Sequence, residues 1–352
     1  MSLPTCDGPN CTNSTLDFLC PECSDNAELG FCNQECLYKH RLAVHDGFNL
    51  ALFTQFVPRA TSLAAKIAIV AVEAMYPYRI EHFVEKNGAL QVRRSLLSEP
   101  DPGDLFPGHI PDKHKLAVLM FQNCVLSTQV LTDVVPFLLH GLDFSICELR
   151  ISRPKQGFPM KVLQRYEKKS SGDKQDRWGE INHNTRHRVI CIAPDNLADE
   201  DIPHHPKSVI FDPSFSQYGI ATHTASTANY FFSYTKFGSY MRVLDAGDAL
   251  KILDDDWQDD GMTVDVRVFA GATVLSKLQI ENILYRAVGG EEGICKLWTL
   301  DEEEYAGVED NILSLMAAGL DEVRRQVDAV RLLDGSMQIP ALQRLVRIAS
   351  QG

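Results

Sequence analysis

The longest apolar run in the chain extends from Leu63 to Met75, where Lys66 and Glu73 are the charged interruptions. With Thr61-Ser62 ahead of it as capping residues, it predicts a helix over Thr61 to Tyr76. A bilayer crossing needs ~20 apolar residues, so a buried core helix is expected here and no membrane partner. Lys113 to Leu142 is helical in tone, with a break expected near Pro136. Short runs rich in Val, Ile and aromatics then predict strands at Ser145 to Ile151, His187 to Ile192, Ser208 to Phe211 and Thr263 to Phe269. Between them, Gly172 to Asn184 is polar and reads as a flexible excursion. Helical periodicity returns over Ser276 to Ala287 and Val308 to Leu333, with Gly335 as a stop signal.

Ser98 to Pro111 holds four prolines and two glycines and marks a loop or domain junction. The chain therefore divides into residues 1–48, a helical segment and Pro-rich junction at 49–111, a mixed core at 112–270 and a helical C-terminal region at 271–352. The expected fold class is α+β, with a mixed or antiparallel sheet in the core. Two or three domains suit the 352 residues.

Charge is distributed unevenly. The net charge is −13, yet Arg150 to Arg188 carries 11 Lys and Arg against 4 Asp and Glu. From Leu244 onward the balance reverses, with 21 acidic against 10 basic residues. The basic stretch reads either as a solvated hairpin or as the contact surface of an anionic partner.

Six of the ten cysteines lie in the first 36 residues. Cys6, Cys11, Cys20, Cys23, Cys32, Cys36, His40 and His45 form four pairs whose spacings suit two tetrahedral S/N sites, so two structural zinc ions are the expected cofactors. Eight ligands for two metals leave no open position, which excludes a catalytic zinc. Cys32, Cys36 and His40 recur every four residues and share a helical face. Cysteines used in this way imply a reducing, intracellular setting, taken as the cytoplasm with the nucleus left open.

Phe31-Cys32-Asn33-Gln34-Glu35-Cys36 resembles the F-C-S-x-E-C run of MYND fingers, in particular the variant that precedes some methionine aminopeptidases. The resemblance implies a cross-brace, with Cys6, Cys11, Cys32 and Cys36 at one zinc and Cys20, Cys23, His40 and His45 at the other. It also implies a peptide partner for the finger. It covers about forty residues, and no Cys follows His45 where a MYND finger would have one.

A second group of residues suggests thiol chemistry. Cys124, in Gln122-Asn123-Cys124, opens an apolar helical run, and a thiol at a helix N-terminus gains from the dipole. His187 opens a strand, and Asp212 of Asp212-Pro213 closes another. A nucleophile, a base and an orienting carboxylate are what acyl transfer through a thioester requires. Cys147 and Cys191 lie among apolar strand residues and read as core, and Cys295 sits beside Gly293 and Trp298. The acidic run Asp254 to Gly261 reads as a solvated loop, and His204-His205 as a loop between prolines.

The order Cys124, His187, Asp212 on helix, strand and strand resembles the transglutaminase-like, papain-related superfamily. The Gln217-Tyr218-Gly219 that follows is similar to a segment of fungal MYND-containing proteins. The resemblance implies Cys124 as nucleophile, His187 as base, Asp212 as orienter and Gln122, where the family often has Gly, as an oxyanion candidate. Amide bonds would then be made, exchanged or hydrolysed, as in transglutaminases, amidases and cysteine peptidases. A specific form resembles the fungal arginine-containing cyclodipeptide synthases, in which residues 150–188 would contact aminoacyl-tRNA. The alternative from another class is a zinc-finger adaptor with a pseudoenzyme core.

Overall fold

The computed structural model describes residues 18–19, 30–32, 36, 40, 46–76, 78–86, 89–96, 105–121, 123–152, 160–167, 174–180, 186–194, 197–218, 220, 222–236, 241–249, 251 and 263–351. Among these the chain is a mixed helix and strand structure of the α+β class, with predominantly antiparallel sheets.

A minimal ribbon, β1 (Phe18–Leu19) with β2 (Gly30–Phe31), precedes a long helix, α1 (Asp46–Met75). The apolar run expected to begin a helix at Thr61 is only the second half of α1. Thr61 is not a cap; its hydroxyl donates to the Val57 carbonyl at 2.7 Å, within the helix. The helix passes through Pro58 because its flanks are buried: Phe53, Phe56, Val57 and Ala60 pack inward on either side of the proline. Leu63 and Ile67 are fully enclosed, each contributing on the order of 2 kcal/mol of apolar burial. Leu50–Met75 is apolar and long enough to cross a bilayer by composition, but much of it is buried in the protein.

A hairpin absent from the expectations follows, β3 (Tyr78–Lys86) and β4 (Ala89–Leu96). A register shift between Ile80 and His82 breaks its period-2 alternation, which is the signal a strand shows in sequence. Lys113 to Leu142 resolves into three helices, α2 (Asp112–Met120), α3 (Cys124–Leu131) and α4 (Val134–Leu138). The breaks precede Pro136. At Phe121 the backbone turns extended (φ −57°, ψ 116°), whereas Pro136 falls in the first turn of α4, where an amide is unpaired in any case. Gly141, at φ 89°, then reverses the chain into the sheet.

The central sheet has the order β10-β9-β8-β5-β11, all antiparallel. Its strands are β5 (Phe144–Ser152), β8 (Arg186–Pro194), β9 (Val209–Phe211), β10 (Thr224–Ser226) and β11 (Met241–Leu244). Between β5 and β8, the segment expected to be a flexible excursion contributes β7 (Lys174–Glu180) instead. It pairs with β6 (Met160–Glu167), which runs parallel to β4 in a second sheet of order β3-β4-β6-β7. Ladder pairing gives a polar segment a structure its composition does not advertise.

Helix α5 (Thr227–Tyr234) follows β10. Thr263 to Phe269 is not a strand: helix α6 (Val264–Val288) takes it up. Alternating valines gave a period-2 pattern, but Val268 and Leu275 pack with Val323, Val327 and Leu342 of later helices, and this tertiary packing decides. The tail continues as α7 (Glu291–Thr299), α8 (Glu302–Arg331) and α9 (Gly335–Ala349), so Gly335 opens a helix after α8 has ended. One continuous core reaches from Leu52 to Leu320. Trp298 of α7 donates its indole N–H to the Leu138 carbonyl, and Arg59 of α1 bonds the Leu300 carbonyl. Helix α7 and the turn after it are thereby tied to α4 and α1.

Candidate functional site

Cys124 is the first residue of α3. Asn123 fixes that start: its side-chain amide donates to the Leu119 carbonyl of α2, while its own carbonyl accepts from the Ser127 amide and hydroxyl. The thiol thus sits at the positive end of an eight-residue helix. His187 lies near the start of β8, and Asp212 directly follows β9.

The structure brings these three side chains together. His187 Nε2 lies 2.7 Å from Asp212 Oδ2. Among the described residues the opposite ring nitrogen, Nδ1, has no hydrogen-bond partner, and the Cys124 thiol lies close enough to the imidazole for the two to shift each other's titration. The ladder between β8 and β9 ends at Ile190 and Phe211, which leaves the Arg188 amide to donate to the Cys124 sulfur. Asp212 accepts four hydrogen bonds: His187 and the Tyr230 hydroxyl at Oδ2, the Ser214 amide and hydroxyl at Oδ1. Gln217 in turn donates to the Ser214 hydroxyl at 2.8 Å.

Electrostatics follow from this arrangement. Burial works against a charged imidazole, but the Asp212 carboxylate beside it, with help from Cys124, raises the His187 pKa to about 9. Burial alone would raise the Cys124 thiol; the hydrogen bond and charge of His187 and the Arg188 amide outweigh it and lower the pKa. The two shifts favour the same pair, thiolate and imidazolium. His187 and Asp212 are fully buried and Cys124 is 6% exposed.

The other cysteines of the sheet behave differently. Cys147 and Cys191 face each other across β5 and β8, both fully buried. Their mutual hydrogen bond, then burial, push the Cys147 thiol far up, which makes it a poor nucleophile.

Gln122 lies outside the described residues, as do Cys6, Cys11, Cys20, Cys23 and His45. Cys32 and Cys36 are described, and their sulfurs lie 3.8 Å apart. Two thiolates on one tetrahedral zinc, with Zn–S of about 2.3 Å, stand ~3.8 Å apart, so this pair fits a shared metal. The His40 ring is buried against Phe31, with centroids 4.8 Å apart. Among the described residues no group of three or more metal-ligating side chains converges.

Three neighbours of the triad carried no assigned role in the sequence. Ser214 had a local signal, because Asp-Pro-Ser favours a side-chain turn on the following amide. Tyr218 and Tyr230 had none, since the direction of a hydroxyl on a helical turn depends on the packing around it. Of the basic stretch, Arg188 is not available to a surface partner: it is buried and bonded to Glu148 and Asp248. Comparison with family models, with curated proteins and with solved structures finds no match to this chain.

Proposed function

We propose that the protein is a thiol-dependent acyl transferase in which Cys124 is the nucleophile, His187 the base and Asp212 its orienter, on a transglutaminase-like core. The observation that carries this reading is the buried His187–Asp212 bond with the Cys124 thiol, at a helix N-terminus, near enough to the imidazole to interact with it. The thiolate would attack an acyl carbon, and the His187 imidazolium would then protonate the leaving group. Whether water, an amine or a second aminoacyl group accepts the acyl unit distinguishes amidase or peptidase chemistry from transglutamination and cyclodipeptide synthesis. The tRNA-dependent form predicts salt-sensitive binding of aminoacyl-tRNA through residues 150–188, and no binding at low salt would remove it. In the amino-terminal segment, two structural zinc ions would be held by Cys6, Cys11, Cys20, Cys23, Cys32, Cys36, His40 and His45, with a peptide as the finger's partner.

The test is the alkylation rate of Cys124 in the folded, zinc-loaded protein as a function of pH. An activated thiol labels with an apparent pKa below ~8.5, and His187→Ala slows labelling at neutral pH by roughly 10²-fold. One observation favours the second reading, a zinc-finger adaptor with an inactive core: the thiol is almost enclosed. Labelling that appears only on unfolding would select it.

A further inference from the structure

Tyr218 closes a turn of 3-10 helix, Phe215–Tyr218, six residues after Asp212. Its side chain is fully buried, and its ring stands edge-on to the His187 imidazole with centroids 4.5 Å apart at 70°. Its hydroxyl has no hydrogen-bond partner among the described residues. Buried polar groups are nearly always paired, so an orphan beside a thiol and imidazole pair calls for a physical reason. Its neighbour Tyr230 shows the ordinary arrangement, with its hydroxyl donating to Asp212 at 2.7 Å.

Asp212 has no vacancy for a further donor, since both its oxygens are already engaged. Burial raises the Tyr218 phenol well above its ordinary range, and the negative charge of Cys124, then that of Asp212, adds to the effect. The group therefore stays a neutral O–H donor beside the His187 imidazole.

We propose that Tyr218 Oη donates a hydrogen bond to the acyl oxygen of the substrate as Cys124 attacks the carbonyl carbon. This inference rests on the acyl-transfer reading above and adds an oxyanion donor to it. In the step, the C–S bond forms from the thiolate lone pair and the C=O π pair moves onto oxygen. The Tyr218 O–H bonds that oxyanion without giving up its proton. The oxyanion then collapses, the bond to the leaving group breaks, and the leaving group takes the His187 proton. The donor remains unpaired in the resting protein because its acceptor arrives with the substrate, a carboxylic ester, thioester or amide.

Two probes of the same sulfur separate this role from a structural one. Acylation by p-nitrophenyl acetate passes through an oxyanion; alkylation by iodoacetamide displaces iodide and does not. Tyr218→Phe keeps the ring against His187 and removes only the hydroxyl. The expected result is a roughly 10²-fold slower acylation, an unchanged alkylation rate and pH profile, and a Tm equal to or above that of the wild type. Unchanged acylation, a parallel loss of both rates, or a lower Tm would each overturn the assignment to Tyr218 while leaving an activated thiol intact in the wild type. A wild-type thiol that alkylates only on unfolding removes the acyl-transfer reading and this inference together.

Discussion

His187 and Arg188 are consecutive residues of β8, and each anchors a buried cluster of charge. Arg188 donates to Glu148 at 2.7 Å and to Asp248 at 2.8 Å, and Glu148 also accepts the Gly247 and Ala249 amides. That cluster is satisfied within itself and ties the segment after β11 to the sheet. The His187 cluster is saturated on the side of Asp212. On its other side, Nδ1 and the hydroxyl of the adjoining Tyr218 have no hydrogen-bond partner among the described residues. Adjacent buried positions thus produce two different objects. A saturated ion network holds a fold in one arrangement. A network with an unpaired hydroxyl beside a polarised thiol and imidazole pair is suited to a group that is not part of the chain.

The comparison can be broken most forcefully at Arg188. Arg188→Ala leaves Glu148 buried with its charge uncompensated, and burial already pushes that carboxyl up against the pull of Arg188. The expected cost is about 3–5 kcal/mol of unfolding free energy, read from denaturant midpoints. Because the Arg188 backbone amide, and not the side chain, bonds Cys124, alkylation of the still-folded fraction should keep its pH profile. A changed profile would show that the two clusters act as one.

The second effect is a pH dependence of stability that belongs to the triad alone. His187 is raised from about 6.5 in the unfolded chain to about 9 in the folded protein. The folded state therefore binds the proton more tightly. The stabilisation is full below about pH 6.5 and is lost as pH rises through about 9. Cys124 acts in the opposite sense: its lowered pKa adds stability above the unfolded thiol value that is lost as pH falls through the folded one. In Cys124→Ser the second contribution disappears, so stability should fall with rising pH across this window, on the order of 2 kcal/mol. Asp212→Asn, which removes the charge that raises His187, should flatten the slope. A slope that survives Asp212→Asn would assign it to another group.

How much of this was legible in the sequence varies by element. The order Cys124, His187, Asp212 is visible because helix starts and strand ends leave local signals, such as Asn123 ahead of the thiol and Pro213 after the carboxylate. Strands β5, β8 and β9 stood out for their dense β-branched residues. The hairpin of β3 and β4 did not, because its register shift breaks the alternation. The Val264–Phe269 segment misled in the opposite direction, since Val268 faces a helical core that only the fold assembles. Long-range partners left no trace at all. Gln129 bonds the Ala249 carbonyl 120 residues away, and Tyr230 reaches back to Asp212 from a different element.

Tyr230 supplies the finest test of the comparison. Its hydroxyl shares Asp212 Oδ2 with His187, at 2.7 Å for each bond. Tyr230→Phe removes a donor from a carboxylate that keeps three others, so the fold should lose about 1 kcal/mol. The carboxylate, less stabilised by that donor, should hold the His187 proton more strongly. The alkaline limb of the wild-type alkylation profile would then move to higher pH. If Asp212 belonged to a purely structural network like that of Glu148, the stability loss would appear without any movement of that limb. The two observables together say whether the carboxylate is tuned to its histidine or merely buried beside it.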